Sequence, residues 1–226
     1  MIVTIDGPAG SGKSSVSREV ARRLGFDFLD TGAMYRAVTW AALDGGIDLF
    51  RSDSIAKLAK SITLRFDQDR VYVNNVDVTH QIRTPEVTSA IHHVADCVAA
   101  RAYLSEMQRS LTSDADFVTD GRDQGTEVFP QAQCKIYLTA SPEERARRRQ
   151  KQLEEKGVSE TLESILKGQE KRDREDRQRP VGSLRPAEDA FILYSDSMTP
   201  EEVVDRIVEV AAEVIGKVST KESGTS

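Results

Sequence analysis

The feature that most constrains the fold is a glycine-rich segment near the start of the chain. Residues 7–15 read Gly-Pro-Ala-Gly-Ser-Gly-Lys-Ser-Ser and match the pattern G-x-x-x-x-G-K-[S/T]. The β-branched run at residues 2–6 before it predicts a short buried strand. After it, Val16, Val20 and Leu24 fall four residues apart, which predicts a helix. Strand, glycine loop and helix in this order form the context of a phosphate-binding loop, or P-loop.

Each residue type in this segment has a role in holding a polyphosphate. The glycines let successive backbone N–H groups point at the phosphates, and the following helix adds the positive end of its dipole. Lys13 supplies a point charge for the β- and γ-phosphate oxygens, and the Ser14 hydroxyl is a candidate Mg²⁺ ligand. The sequence therefore predicts that ATP or a similar triphosphate is bound, with Mg²⁺, by Gly7, Pro8, Ala9, Gly10, Ser11, Gly12, Lys13, Ser14 and Ser15.

Size and composition exclude several classes of protein. A chain of 226 residues is long enough for one well-buried α/β domain and short for two. The net charge of −6 argues against a nucleic-acid-coating protein, because that role needs a basic surface. We expect neither a transmembrane segment nor a signal peptide, because no apolar run is long enough and the chain opens on a strand. Cys97 and Cys134 lie far apart without metal-ligand spacing, which predicts reduced thiols in a cytoplasmic protein.

Short apolar runs that alternate with helical patterns predict the fold class. Alternation between residues 63 and 78 predicts a small antiparallel sheet, and the core strands are expected at residues 2–6, 26–30, 117–119, 135–138 and 191–194. We therefore expect a three-layer α/β fold with a five-stranded, mainly parallel sheet and ligands beyond the carboxyl ends of its strands. The domain is expected to cover residues 1–216. Residues 217–226 are expected to form a disordered tail, because they offer no apolar face to bury.

Polar clusters directly follow three of the predicted strands. They are the P-loop, Asp30-Thr31 and residues 120–123, and we expect them to converge at one edge of the sheet. In the last cluster, Arg122 suits a second phosphate and Asp123 can accept hydrogen bonds from an amine on a base. The alternative is a solvent-facing turn, since glycine and aspartate are common turn formers.

Two predicted helices, residues 142–155 and 162–179, carry an unusual number of arginines. The residues that share a helical face are Arg145, Arg148 and Arg149 in the first helix, and Arg172, Asp176 and Arg179 in the second. One interpretation is a pair of solvated helices with ion pairs that contribute only about 0.3–0.5 kcal/mol each. The other is a cap whose planar guanidinium groups grip a migrating phosphoryl group. The P-loop favours the second interpretation.

Five blocks of sequence together resemble those of the bacterial cytidylate kinases. They are the P-loop and residues 30–36 (DTGAMYR), 82–87 (IRTPEV), 120–126 (DGRDQGT) and 172–177 (RDREDR). The blocks occur in the order and spacing of that family, and the resemblance covers about residues 2–214. It implies a nucleoside monophosphate kinase fold. In that fold a small antiparallel insertion, here at about residues 62–98, enlarges the monophosphate-binding region, and a helical lid lies at about residues 145–182.

The resemblance also implies an activity. A member of this family transfers the γ-phosphate of ATP to CMP or dCMP, giving CDP or dCDP and ADP, with Mg²⁺, in pyrimidine nucleotide metabolism. ATP and CMP or dCMP would be the partners. We expect no nucleic-acid or membrane partner, and a monomer.

The family's functional positions carry over residue by residue. The resemblance implies that CMP is bound by Thr31, Arg36, Arg83, His92, Arg101, Arg122, Asp123, Arg172, Asp176 and Arg179. It assigns catalytic roles to Lys13, Arg122, Arg145, Arg149 and Arg179. Arg101 and Asp123 would read the cytosine, and Arg172 and Asp176 would hold the sugar hydroxyls. His92 is a departure, because the family often has a serine there that helps to read the base.

Other classes of protein remain as alternatives. Uridylate, adenylate and shikimate kinases also carry a P-loop, but the β insertion and the D-G-R-D block argue against them. A guanine-nucleotide switch needs an N-K-x-D segment after the P-loop, and the sequence has none. A nucleic-acid-binding protein that uses the arginine-rich helices is the third alternative, and the negative net charge of the chain argues against it.

Overall fold

The structure is a computed structural model that describes residues 1–67, 69–155 and 157–222, with the backbone alone for residues 217–222. The chain divides into two compact units. The core unit comprises residues 1–29 and the chain from residue 114 onward, and the inserted unit comprises residues 30–113. Each unit is described by itself below.

The helices and strands of the described residues follow one another in this order: β1 (Ile2–Asp6), α1 (Lys13–Leu24), β2 (Asp27–Asp30), α2 (Thr31–Asp44), α3 (Ser52–Ser61), β3 (Leu64–Asp67), β4 (Arg70–Val73), β5 (Val76–Asp77), α4 (Pro85–Asp96), α5 (Val98–Leu111), β6 (Phe117–Gly121), β7 (Cys134–Thr139), α6 (Pro142–Glu154), α7 (Leu162–Gln178), β8 (Phe191–Tyr194) and α8 (Pro200–Glu222). A 3-10 turn at Gln81–Arg83 and a π-helical turn at Gln124–Val128 complete the list.

The central sheet has five strands in the order β2-β6-β1-β7-β8. Strand β1 runs parallel to β6 and to β7, and β7 runs parallel to β8. Val3 and Ile5 of β1 are fully buried, as expected for a parallel strand that is covered on both faces. The predicted five-stranded, mainly parallel sheet is therefore confirmed.

Two helices of the core unit cover this sheet with apolar side chains. Val16 and Val20 of α1 and Ile207 of α8 lie in one buried cluster with Val3 and Ile5. Val16 and Val20 lie four residues apart on one stripe of α1, so the charged residues of that helix can face water on the other side. This packing holds the first turn of α1, which contains the last residues of the P-loop, beside β1.

The inserted unit combines helices with the predicted small sheet. Helix α2 packs against α4, and α3 packs against α5. Strands β3, β4 and β5 form an antiparallel sheet, which confirms the alternation seen in the sequence. Asn74 and Asn75, with φ of 49° and 68°, make the turn between β4 and β5, a conformation that asparagine tolerates well. The unit also contains α2, α3 and α5, so it extends beyond the insertion expected at about residues 62–98.

The last helix is longer than the sequence suggested. Thr199 and Glu202 form a reciprocal cap at its start: the Thr199 hydroxyl accepts from the Glu202 N–H at 3.2 Å, and Glu202 accepts from the Thr199 N–H at 2.7 Å. The helix was expected to end at about Val214, with a disordered tail from residue 217, whereas α8 continues to Glu222. Extending an existing helix needs only one more bond per residue, and no proline follows Gly216 to stop it. Residues 223–226 lie outside the described residues.

A search of the described helices for a membrane span gave none of sufficient length and apolar character.

Candidate active site

The P-loop conformation depends on its glycines. A Cβ atom added at Gly7 would lie 2.1 Å from the carbonyl oxygen of Leu138 in β7, so no larger residue fits there. Gly10 and Gly12 have φ of +78° and +84°, in the left-handed region that other residues rarely adopt. The loop can therefore curl as the sequence pattern predicts.

Lys13, the first residue of α1, is the buried cation of the P-loop. Its ammonium group donates a hydrogen bond to the carbonyl oxygen of Pro8 at 2.9 Å. Burial and the neighbouring Arg122 together lower the pKa of Lys13 to about 7, against the opposing effect of Asp120. The negative oxygens of a triphosphate would favour the charged ammonium at this position.

Ser14 and Asp120 together offer oxygen ligands beside Lys13. The Ser14 hydroxyl donates to Oδ2 of Asp120, at the end of β6, at 2.5 Å. A hydroxyl next to a carboxylate is the donor set that Mg²⁺ prefers, so these residues fit the ion predicted at Ser14. Among the described residues no three His, Cys, Asp or Glu side chains form a metal-binding group. Asp120 was not among the predicted site residues, although its place at the end of a core strand was a usable signal.

Asp176 joins two of the arginines that were predicted to bind the monophosphate. Its Oδ2 accepts from Nε of Arg122 at 2.8 Å, and its Oδ1 accepts from Nη2 of Arg179 at 2.8 Å. Burial alone raises the pKa of Asp176, but the two guanidinium groups outweigh burial and bring it down to about 2. The structure thus brings Arg122, Asp176 and Arg179 together, and it keeps the carboxylate charged throughout the neutral range.

Arg145 of α6 is held against the P-loop. Its guanidinium donates to the carbonyl oxygen of Ala9 at 2.8 Å and forms an ion pair with Asp173 of α7 at 2.7 Å. Both side chains of this pair are almost fully buried. Asp173 also accepts from the Ala9 N–H at 3.4 Å. Sequence reasoning missed Asp173, because nothing in its local pattern separates it from the surrounding charged residues.

The two charged helices have different faces. Arg147 of α6 and Lys171 of α7 are exposed and pair with acidic residues on their own helices. Arg145, Asp173 and Asp176 instead turn inward. The exposed residues therefore fit the interpretation of solvated helices with ion pairs. The role of the buried residues toward a phosphoryl group stays a prediction.

The remaining predicted residues of the core unit occupy less enclosed positions, apart from Asp123. Asp123 is 5% exposed and begins the π-helical turn. Arg149 and Arg172 are half-buried on α6 and α7. Arg172 lies near enough to Lys13 to contribute to the lowering of the Lys13 pKa. Arg148 donates to the Ser195 hydroxyl at 3.1 Å, so it joins α6 to the end of β8.

In the inserted unit, predicted phosphate ligands gather around the start of α2. Thr31 is the first residue of that helix, and Asp30 caps it by accepting from the Ala33 N–H at 2.8 Å. Arg83 donates to the other oxygen of Asp30 at 3.3 Å. Arg36 donates to the Thr88 hydroxyl at 2.8 Å and to the Ile82 carbonyl oxygen at 3.4 Å. The 3-10 turn that ends at Arg83 is therefore tied to α2 by two arginines.

The two predicted base-contacting residues of this unit have different surroundings. Arg101 is buried, donates to the Ala95 carbonyl oxygen at 3.2 Å and lies 5.4 Å from the ring centre of Tyr35. His92 is exposed on α4, where its Nδ1–H donates to the Ser89 carbonyl oxygen at 2.8 Å. Its ring lies 4.0 Å from the ring of His93. The described contacts of His92 are thus with its own helix, and its role toward a base stays a prediction.

The fold and the P-loop geometry place the chain in the class of P-loop nucleotide-binding proteins. Among solved structures, TT1252 from Thermus thermophilus matches with a TM-score of 0.50 and 17% identity, covering 94% of this chain and 96% of that one. A likeness at this level of identity bears on the fold alone.

The family follows from the sequence comparisons. The cytidylate kinase family model matches residues 3–213, and the chain belongs to the cytidylate kinase family. It is 53% identical over 215 residues to a cytidylate kinase of Rhodopirellula baltica, covering 95% of this chain and 94% of that relative. It is also 44% identical to a bifunctional pantoate ligase/cytidylate kinase of a Synechococcus strain, covering 92% of this chain and 40% of that protein. The resemblance drawn from the five sequence blocks is confirmed.

Proposed function

We propose that the chain transfers the γ-phosphoryl group of ATP to CMP or dCMP, giving CDP or dCDP and ADP. Membership of the cytidylate kinase family supports this reaction. The observation that carries it within the structure is the arginine–aspartate cluster next to the P-loop lysine. Arg122 both lowers the pKa of Lys13 and pairs with Asp176, so the group that would hold a second phosphate lies beside the group that would hold ATP.

The proposed reaction needs charge stabilisation more than proton transfer. The attacking oxygen belongs to the CMP phosphate, which is already anionic at neutral pH, so no general base is required. Lys13, Arg122, Arg145, Arg149 and Arg179 would offset the charge that spreads over the migrating group. Arginine suits this task, because its planar fork can bind two oxygens of one phosphate.

The other predicted residues would bind and orient the substrates. The monophosphate would be contacted by Thr31, Arg36, Arg122 and Arg179, with support from Arg83. Arg172 and Asp176 would hold the sugar, and Arg101, Asp123 and His92 would contact the base. Ser14, whose hydroxyl is hydrogen-bonded to Asp120, would hold Mg²⁺. The ion would neutralise phosphate charge when bound. Residues 145–182 would act as the lid, in line with the contacts of Arg145 and Asp173 with Ala9.

The setting of the reaction is part of the proposal. Cys97 and Cys134 are both buried free thiols, which supports a reducing compartment such as the cytoplasm. The net charge of −6 supports small anionic substrates bound at local arginine clusters over a nucleic-acid partner. We propose that the enzyme works as a monomer.

The test follows the labelled phosphate. The protein is incubated with Mg²⁺ and ATP labelled at its γ-phosphate, with and without CMP, and the products are separated. We expect labelled CDP only when CMP is present. Lys13→Ala should lower its formation by at least about 10²-fold, because one preorganised charge is lost at the transition state. Label released only as inorganic phosphate, or turnover by Lys13→Ala within a few-fold of the wild type, would contradict the proposal.

A further inference from the structure

The carboxylate of Asp6 is a buried group that the proposed mechanism does not use. Asp6 is the last residue of β1, its backbone continues into the P-loop, and it is 4% exposed. Its Oδ1 accepts from the Gln124 N–H at 2.9 Å, and its Oδ2 accepts from the Gly125 N–H at 2.8 Å. Each carboxylate oxygen of Asp6 thus accepts from one of two successive backbone amides in a segment distant in sequence.

Those amides open the π-helical turn at Gln124–Val128, which directly follows Arg122 and Asp123. Later amides of the turn find partners within it, since the N–H groups of Glu127 and Val128 donate to the carbonyl oxygen of Asp123 at 2.9 and 3.2 Å. The first N–H groups of a helical turn have no such partner within the turn. Asp6 supplies their acceptors from the neighbouring strand, so it caps the turn.

This arrangement has a cost that an apolar side chain would avoid. Burial raises the pKa of Asp6, the N–H groups of Gly125 and Gln124 lower it, and the net result is a pKa of about 7. A carboxylate in such surroundings is retained only where its hydrogen bonds offset its desolvation. Here the bonds go to the one segment that carries both a proposed phosphate ligand, Arg122, and a proposed base reader, Asp123.

We propose that Asp6 is a positioning residue for CMP, which fixes the segment with Arg122 and Asp123 to the end of β1. The inference rests on the proposed function, since it deepens the account of how CMP is bound. Asp6 touches neither substrate in this proposal. It acts through the backbone of Gln124 and Gly125.

The test compares two substitutions on the same strand. Asp6→Asn keeps the shape of the side chain but replaces one acceptor oxygen with an NH₂ group that cannot accept from an amide. We expect the KM for CMP to rise about tenfold and the preference for CMP over UMP to fall, with the KM for ATP changed less than about twofold. Thr4→Val is the control, because Thr4 is fully buried on β1 and its hydroxyl lies 3.0 Å from the place of a Cβ on Gly125. It leaves the two hydrogen bonds of Asp6 intact, so the KM for CMP should stay within about twofold of the wild type.

Three results would overturn the proposal: an unchanged KM for CMP in Asp6→Asn, an equal rise in the KM for ATP, or the same change in Thr4→Val. A wild-type protein that does not phosphorylate CMP would instead refute the proposed function.

A second measurement tests the cap without a variant or a turnover assay. In the wild type, the amide proton resonances of Gln124 and Gly125 should move with the carboxyl carbon of Asp6 as pH is varied. Asp123 and Lys13 also face Asp6, so their side-chain resonances would be recorded in the same experiment. If these amide resonances do not change as Asp6 titrates, the proposed cap by Asp6 is refuted, even if Asp6→Asn does not fold.

Discussion

The environment of Lys13 ties the binding of ATP to pH. Burial and the neighbouring Arg122 lower its pKa to about 7, so above that pH the side chain is largely neutral in the free protein. The phosphates of ATP favour the ammonium form and raise the pKa, so binding takes up a proton. By linkage, the affinity for ATP should then fall as pH rises.

We therefore expect the binding of Mg²⁺·ATP to take up as much as one proton between about pH 7.5 and pH 9, and little below about pH 6. Calorimetric titrations in buffers with different ionisation enthalpies measure this uptake directly. The variant Lys13→Met, which lacks the titrating group, should show no uptake in the same range. Equal uptake by both proteins would contradict the assignment to Lys13.

Asp123 is expected to act on the choice of base. It is buried at the start of a fixed turn, where a carboxylate can accept from the exocyclic amine of cytosine but not from the oxygen that uracil carries there. Asp123→Ala should lower kcat/KM for CMP by about 10- to 100-fold, the range for one hydrogen bond to a charged group. Turnover of UMP should change much less. Equal losses on CMP and UMP would remove Asp123 from the reading of the base.

The sequence alone identified those candidate residues that belong to a recognisable local motif. Lys13 and Ser14 lie in a nine-residue motif, and Arg122 and Asp123 follow a recognisable strand. It assigned no role to Asp6, Asp120 or Asp173, because each of these carboxylates finds its partner far away in the sequence. Only the register of β1 beside β6, which pairs Asp6 with Gly121, brings the Asp6 carboxylate to the turn that it caps.

At the scale of the elements, helices α6 and α7 are joined by the buried ion pair between Arg145 and Asp173. Removal of one partner leaves an unpaired charge buried away from water. This lowers the free energy of unfolding far more than the loss of a surface pair does. Asp173→Ala should therefore lower the free energy of unfolding by about 3 kcal/mol.

The matched control lies on the same helix. Lys171→Ala removes the exposed pair with Glu175, whose charged atoms are 3.8 Å apart, and should change the free energy of unfolding by less than about 0.5 kcal/mol. Urea denaturation of both variants and the wild type measures the difference. Similar values for the two variants would show that the Arg145–Asp173 pair contributes no more than a surface pair.

The elements themselves were predicted well wherever periodicity was strong. The five core strands and the small antiparallel sheet were found from apolar runs and alternation. The end of α8 was not, because the charge-rich stretch after Gly216 resembles a tail as much as a solvated helix. The π-helical turn was also missed, since its glycine-containing sequence is typical of an ordinary loop and its cap comes from another strand.

At the scale of the whole molecule, the order of the strands lies beyond local pattern. Strand β1 lies between β6 and β7, although many residues separate it from both in the sequence. The division into a core unit and an inserted unit of residues 30–113 is a property of the packing and not of any one motif. The match to the family model covers residues 3–213 at once, so it relates segments that no single local motif connects.

Cytidine monophosphates should be the preferred phosphate acceptors, and a panel of acceptors measures this preference. ADP release is measured with Mg²⁺·ATP against CMP, dCMP, UMP, AMP, GMP and shikimate at equal concentrations. We expect kcat/KM to be highest for CMP and dCMP, with UMP well behind and the other acceptors near background. Turnover led by any other acceptor would contradict it. That result would keep the P-loop assignment and remove the base-reading roles of Arg101 and Asp123.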